Sequence, residues 1–356
     1  MGRPGRRRAR RVAALPVVVT VAALLSLVAS RSAHGRVPPP GTRLALSGGG
    51  LPASGLPVLG PARVVETDDV GDPYVLTVPK GQAGNASTTY VLYWTTDWRS
   101  NVPTAVSSDL VHWRRVADSL PRLPSWAVDS RTMTWGPTVA HIGREWVLYF
   151  STLDRASRLE CIGRATSESP TGPFTDSSPG PLVCQPSLGG DIDPSVVAGP
   201  GGGRSLLWKN DGNSLDVPVA IWQQPLTSDG LSLQGRATRL LSAVQPWEHG
   251  IIEGPAMLRA GTGGWWLFYS GGTWQSASYG TGVAWCATPA GPCRAAKDSA
   301  VLASTPTAVS PGGFDTFVDG SGKLWASYSA FPAAPADAAD AMRMNRVLEI
   351  APILAH

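Results

Sequence analysis

The chain has 356 residues, of which 43% are hydrophobic and only 16% charged, with 14 Trp and a formal net charge of +4. So few charges among so many aliphatic and aromatic side chains exclude disorder over most of the length. Eight of the 30 basic residues fall in residues 1–36, where there is no acid, so the remaining 22 face 26 acidic side chains. The pI near 9.0 therefore belongs to the N-terminus and gives no support to a nucleic-acid partner.

Residues 1–30 read as an export signal. Arg6 to Arg11 form a positive start, Val12 to Ala29 an apolar run, and Val28-Ala29-Ser30 a small-residue cleavage site. An uncleaved N-terminal membrane anchor is the alternative, since 18 apolar residues can just span a bilayer. Residues 31–60, rich in Pro and Gly, read as a linker. The four cysteines suit an oxidising, extracellular destination. Cys161 with Cys184 and Cys286 with Cys293 are the expected pairs among three connectivities. Without a C-x-x-C and with five scattered His, zinc is not expected.

Residues 61–356 lack helical periodicity and consist of short β-branched and aromatic runs between Gly, Pro, Asp and Ser. One run recurs: Tyr90–Trp94, Trp146–Phe150, Ser205–Trp208, Trp265–Tyr269 and Leu324–Tyr328, at spacings of 56, 59, 60 and 59 residues. Five copies at this period predict an all-β fold, a five-bladed β-propeller of four-stranded antiparallel blades around a central channel. A β-sandwich is the competing architecture.

Upstream of each copy stands a short motif: Gly71-Asp72-Pro73, Trp135-Gly136-Pro137, Ile192-Asp193-Pro194, Glu253-Gly254-Pro255 and Pro311-Gly312-Gly313-Phe314. The offset is 11 or 12 residues, except 18 in the first copy, where Lys80 to Thr89 reads as an inserted loop. In a propeller the first strand of each blade lines the channel, so equal phases converge at one end. Asp72, Asp193 and Glu253 are expected around one depression. An isolated Asp-Pro is usually only a turn; the shared phase makes these three candidates. Converging carboxylates suit either a hard-cation site or glycosidic bond cleavage, which needs a general acid and a base or nucleophile.

These motifs, with Ser107-Ser108-Asp109-Leu110-Val111-His112-Trp113 and Ala165 to Phe174, resemble glycoside hydrolase family 43 from about residue 62 to the C-terminus. The resemblance implies a five-bladed propeller and an exported inverting glycosidase acting on α-L-arabinofuranosides or β-D-xylosides of plant cell walls. It implies Asp72 as the base that activates water, Glu253 as the acid, and Asp193 as the residue that tunes and orients Glu253. It implies an arabinose- or xylose-containing saccharide as partner; a monomer with no required cofactor is expected. Many members carry a Gly-His motif in blade 5 beside a channel calcium. Gly312-Gly313-Phe314-Asp315 stands there instead, which puts a structural calcium in doubt. A non-catalytic carbohydrate-binding propeller and a scaffold for protein partners are the rival functions.

Sugars stack on aromatic faces and hydrogen-bond through hydroxyls. Trp135, in phase with the carboxylates, and Trp98, in the loop after blade 1's repeated strand, are substrate-binding candidates. Lys209 and Asn213, expected to be exposed beside Asp193, join them, with His249 and Tyr279. Trp146, Trp208, Trp266 and Trp325 are expected between blades. Asp68 and Asp69 compete with Asp72 for the base role.

Overall fold

The computed structural model describes residues 56–354, apart from 57, 131–132, 262 and 296–298. The export segment and nearly all of the linker lie outside the described residues. Two short N-terminal strands come first, β1 (Val58–Leu59) and β2 (Arg63–Glu66). Blade 1 holds β3 (Tyr74–Val78), β4 (Thr89–Tyr93), β5 (Thr104–Ser107) and β6 (Arg114–Arg115). Blade 2 holds β7 (Thr134–Ile142), β8 (Glu145–Leu153) and β9 (Glu160–Ser167). Blade 3 holds β10 (Asp191–Ala198), β11 (Arg204–Asn210), β12 (Ala220–Pro225) and β13 (Thr238–Ser242). Blade 4 holds β14 (Ile252–Arg259), β15 (Trp265–Gly271), β16 (Gly280–Cys286) and β17 (Cys293–Ala295). Blade 5 holds β18 (Val309–Val318), β19 (Leu324–Phe331) and β20 (Val347–Leu354).

Every blade is an antiparallel meander, and the five together form the expected propeller. The first strands touch in the order β3, β7, β10, β14, β18 and back to β3. Blade 2 has three strands; isolated bridges Ile162↔Val183 and Thr166↔Thr175 stand where its fourth would run. The ring closes in blade 5, where β1 and β2 both pair with β20. The sheet thus starts at Val58, inside the stretch read as linker. Pairing the chain's two ends leaves little open strand edge.

The repeated run is the second strand of every blade, and its composition follows from its position. Successive side chains of a strand point to opposite faces, and both faces meet another blade. Val91 and Tyr93 pack with Leu148 and Phe150 of blade 2, while Leu92 and Trp94 pack with Leu348 and Ile350 of blade 5. Trp208 packs toward blade 2, and Leu207 toward Leu267 and Tyr269 of blade 4. Phe268 and Tyr328 fill the gap between blades 4 and 5. Each such apolar side chain contributes about 1.5–3 kcal/mol on burial, and the run is mostly apolar because both of its faces are buried against other blades. Trp146, Trp208 and Trp266 are buried in these gaps, and Trp325 is partly buried against the gap between blades 5 and 1.

Both expected disulfides are present. Cys286 and Cys293 are register partners on β16 and β17, and Cys161 of β9 joins Cys184.

Candidate active site

In blades 2 to 5 the first strand is interrupted by a bulge. In blade 2, Trp135 faces Ser151 and Thr138 faces Tyr149, with Gly136-Pro137 set against a single residue. The same shift places Asp193-Pro194 between Ile192↔Lys209 and Ser195↔Leu207, and Gly254-Pro255 between Glu253↔Ser270 and Ala256↔Phe268. Gly313-Phe314 repeats it in blade 5. The first bulge residue is left-handed every time: Gly136 (φ 53°), Asp193 (φ 56°), Gly254 (φ 55°) and Gly313 (φ 60°), joined by Asp72 (φ 49°) ahead of β3. Asp72 and Asp193 therefore occupy equivalent sites where three blades carry glycine. Asp tolerates this conformation better than most residues, at a cost of about 1–2 kcal/mol.

Glu253 is not at the bulge. It stands one residue earlier, where other blades have Gly71, Trp135, Ile192 and Gly312. The sequence reading put all three carboxylates in one phase; the structure divides them by one residue. The longer glutamate side chain compensates, and all three line one cavity of about 570 Å3.

The bulges are tied together across blades. In three blades a hydroxyl at or just past the end of the second strand takes the next bulge amide: Gly136 N–H donates to Thr95 Oγ1 (3.1 Å), Asp193 N–H to Ser151 Oγ (3.0 Å) and Gly313 N–H to Ser270 Oγ (3.0 Å). In blade 3 that position is Lys209, which cannot accept, and Gly254 N–H donates instead to Asp193 Oδ2 (2.9 Å). Thr95 Oγ1 donates onward to Asp72 Oδ2 (2.6 Å). The ring is tight at two of its bulges. A Cβ on Gly313 would lie 2.9 Å from Asp72 Cα, and one on Gly136 would lie 3.1 Å from Asp193 Cα.

Both oxygens of Glu253 are engaged. Tyr279 donates to Oε1 (2.8 Å) and Lys209 Nζ to Oε2 (3.0 Å). Lys209 also pairs with Asp211 (3.2 Å). Its side chain is only 1% exposed, which corrects the expectation of an exposed lysine reading sugar hydroxyls. Burial pushes its ammonium down, but Glu253, Asp211 and Asp193 outweigh that and hold it charged. Burial pushes the Asp72 carboxyl up, opposed by the Arg346 guanidinium and the Thr95 hydroxyl. Asp193 is pushed well above the usual range by burial and by the charges of Asp72 and Glu253. Carboxylates gathered in one cavity disfavour one another's ionisation, and at Asp193 the charges of Asp72 and Glu253 act in that direction.

A model of the sequence family described as "Glycosyl hydrolases family 43" matches residues 77–354. The chain belongs to that family. Comparison with curated proteins found no match. Among solved structures, a thermostable family-43 glycoside hydrolase is 22% identical, with 81% of this chain and 90% of that one covered and a TM-score of 0.68. An endo-1,4-beta-xylanase and an endo-arabinase, both from Bacteroides thetaiotaomicron, are 23% and 21% identical. They cover 80% and 83% of this chain and 91% and 98% of their own, with TM-scores of 0.64 and 0.66. At these identities the structures speak to the fold alone. The family match establishes a glycoside hydrolase, although the matched segment starts after Asp72.

In this family-43 chain the cavity brings together most of the expected residues. Trp135, Trp98, Lys209, Asn213 and Tyr279 line it with the three carboxylates. Trp98 stands on the rim, 73% exposed and left-handed at φ 73°. His249 is not among the lining residues; it ends a short turn, exposed, at φ 48°. Asp69 lines the cavity but is held by Arg346 (3.2 Å), whereas exposed Asp68 faces Arg115 (3.7 Å). Sequence reasoning missed Arg346, Trp274 and Met342, which also line the cavity. Arg346 lies over the Trp274 ring at 5.0 Å and against Gly71, where a Cβ would meet its guanidinium. These residues sit in loops outside the repeat, where no periodicity could announce them.

A second, smaller cavity is lined by Asp72, Asp193 and Asp315, by Tyr74, Thr138 and Ser195, and by Pro73, Pro137, Pro194 and Pro255. Among the described residues one cluster has metal-ligand types, Asp154 with Cys161 and Cys184, but its sulfurs form a disulfide.

Proposed function

We propose that this enzyme is an exported inverting glycosidase that hydrolyses α-L-arabinofuranosidic or β-D-xylosidic bonds of plant cell-wall polysaccharides and oligosaccharides. One observation carries the reading. Two aspartates on equivalent bulges and a glutamate one residue out of phase meet at the mouth of a single cavity, with aromatic side chains on its walls. The likeness to an endo-arabinase and an endo-1,4-beta-xylanase supports pentose-containing polymers as the substrate class.

In this reading Asp72 takes a proton from water as the water attacks the anomeric carbon. The bond from that carbon to the leaving oxygen breaks through an oxocarbenium-like transition state, and Glu253 supplies the proton to that oxygen. No covalent intermediate forms, so configuration inverts. Asp193 stays out of the proton transfers. It orients the acid through the Gly254 amide and sets the local charge. Trp135 and Trp98 offer faces for sugar rings, and no metal is needed. Export rests on residues 1–30; among the described residues no helix is long and apolar enough to cross a membrane.

The test is to incubate the purified protein with arabinan, xylan and the p-nitrophenyl arabinofuranoside and xyloside, following the released sugar's anomeric signal by NMR. The reading expects the inverted anomer first. Retention of configuration, or no release from any of the four, would overturn it.

A further inference from the structure

We infer that Tyr279 is the positioning residue of the acid, acting through its hydrogen bond to Glu253 rather than through contact with sugar, and that Gly312 exists to give its ring room. This rests on the reading of Glu253 as the acid.

The two donors on Glu253 differ in kind. An ammonium can only donate, so Lys209 blocks Oε2 permanently. A phenol donates or accepts, so Oε1 is the oxygen that can carry the proton the reaction needs. Ser270 lies beside the phenol and offers its hydroxyl as a second partner: the Cβ position of Gly312 is 2.9 Å from both Tyr279 Cζ and Ser270 Oγ. When Glu253 is ionised, Tyr279 donates to it, as found at 2.8 Å. When Glu253 is protonated on Oε1, the phenol turns to Ser270 and leaves that proton free to face the leaving oxygen. Ser270 has the capacity, since only one of its acceptor sites is used by Gly313 N–H. The phenol keeps its proton throughout, because burial and the charges of Glu253 and Asp72 push it well above the usual range.

The ring itself is wedged. Tyr279 is buried just ahead of β16. A Cβ on Gly312 would lie 2.1 Å from Tyr279 Cε1 and 2.9 Å from Ser270 Oγ. Any side chain at position 312 therefore expels the phenol. Gly312 occupies the same bulge-flanking position in blade 5 that Glu253 holds in blade 4, so the glycine is the counterpart that lets the acid and its tyrosine coexist.

The experiment compares wild type, Tyr279→Phe, Gly312→Ala, the double variant and Glu253→Gln on whichever pentoside the wild type cleaves. Tyr279→Phe keeps the packing and removes one donor from the carboxylate. It should lower kcat by about 10-fold or more with KM within about twofold, and move the basic limb of the kcat/KM profile to higher pH, because losing a donor disfavours the ionised form. Gly312→Ala should reproduce this, and the double variant should be no worse than the poorer single one. If Tyr279→Phe raises KM and leaves kcat and the pH profile unchanged, Tyr279 is a sugar contact and the inference fails. If neither parameter moves, it is packing and the inference fails. A wild type that is active while Glu253→Gln is equally active removes the acid assignment itself, and this inference with it.

Discussion

The amide of Gly254 donates to the Asp193 carboxylate over 2.9 Å, across the gap between blades 3 and 4. The residue that follows Glu253 is thereby hung from the neighbouring blade. Asp193 replaces the serine or threonine hydroxyl that performs this task elsewhere in the ring, because Lys209 has taken the hydroxyl's place.

Asp193→Asn should therefore leave the fold nearly intact, since the amide oxygen still accepts from Gly254, yet lower kcat/KM by about 100-fold, because an amide cannot ionise and so no longer tunes Glu253. Asp193→Ala leaves the Gly254 amide buried without an acceptor and should cost a further ~1–3 kcal/mol of stability. Thermal unfolding and steady-state kinetics on the two variants separate these effects. Equal melting points would contradict the account.

Lys209 is a buried cation shared by Glu253 and Asp211. Removing it leaves two carboxylates without their counter-charge. Lys209→Met should destabilise by about 3–5 kcal/mol at neutral pH, and by clearly less near pH 4, where the acids can take up protons. Denaturant melts at the two pH values measure the difference.

Glu160 is buried with no partner for either carboxyl oxygen. Burial first, and then the charge of Asp211, push it up to about 8. The native state holds a proton there that the unfolded chain releases near pH 4.5. This contribution to stability is complete in acid and is lost as pH rises through roughly 4.5 to 8. Glu160→Gln should melt close to wild type at pH 5 and be more stable at pH 8, by on the order of 2–4 kcal/mol. A difference independent of pH would refute the proton assignment.

Trp98 and His249 were both read as sugar contacts, and the structure parts them. Trp98 stands on the cavity rim, so Trp98→Ala should raise KM for polysaccharide about 5-fold or more, with stability changed by less than ~0.5 kcal/mol. His249→Ala should leave both kcat and KM within about twofold. The same polymer assay reads both variants.

The repeated second strand made the fold legible, because a strand buried on both faces is mostly apolar, and five such strands at one spacing have few explanations. Asp72 and Asp193 were legible for a related reason: a residue before proline at a fixed phase marks the bulge. Glu253 was found through the Gly-Pro that follows it, and its one-residue offset is written there, since Pro255 stands two residues after Glu253 while Pro73 and Pro194 directly follow Asp72 and Asp193; the pairing register shows what that offset means. Lys209 was misjudged as exposed because a turn motif follows it, while its own place on β11 buries it. Arg346 and Trp274 were invisible because they come from loops whose sequence carries no period.

The most direct test of the three-carboxylate account is the kcat/KM of Glu253→Ala on substrates of graded leaving-group acidity. Loss of the acid should cost about 1000-fold or more on the natural linkage and little on a dinitrophenyl pentoside, whose leaving group departs without a proton. An equal loss on both, or none on the natural linkage, would show that Glu253 does not deliver the proton.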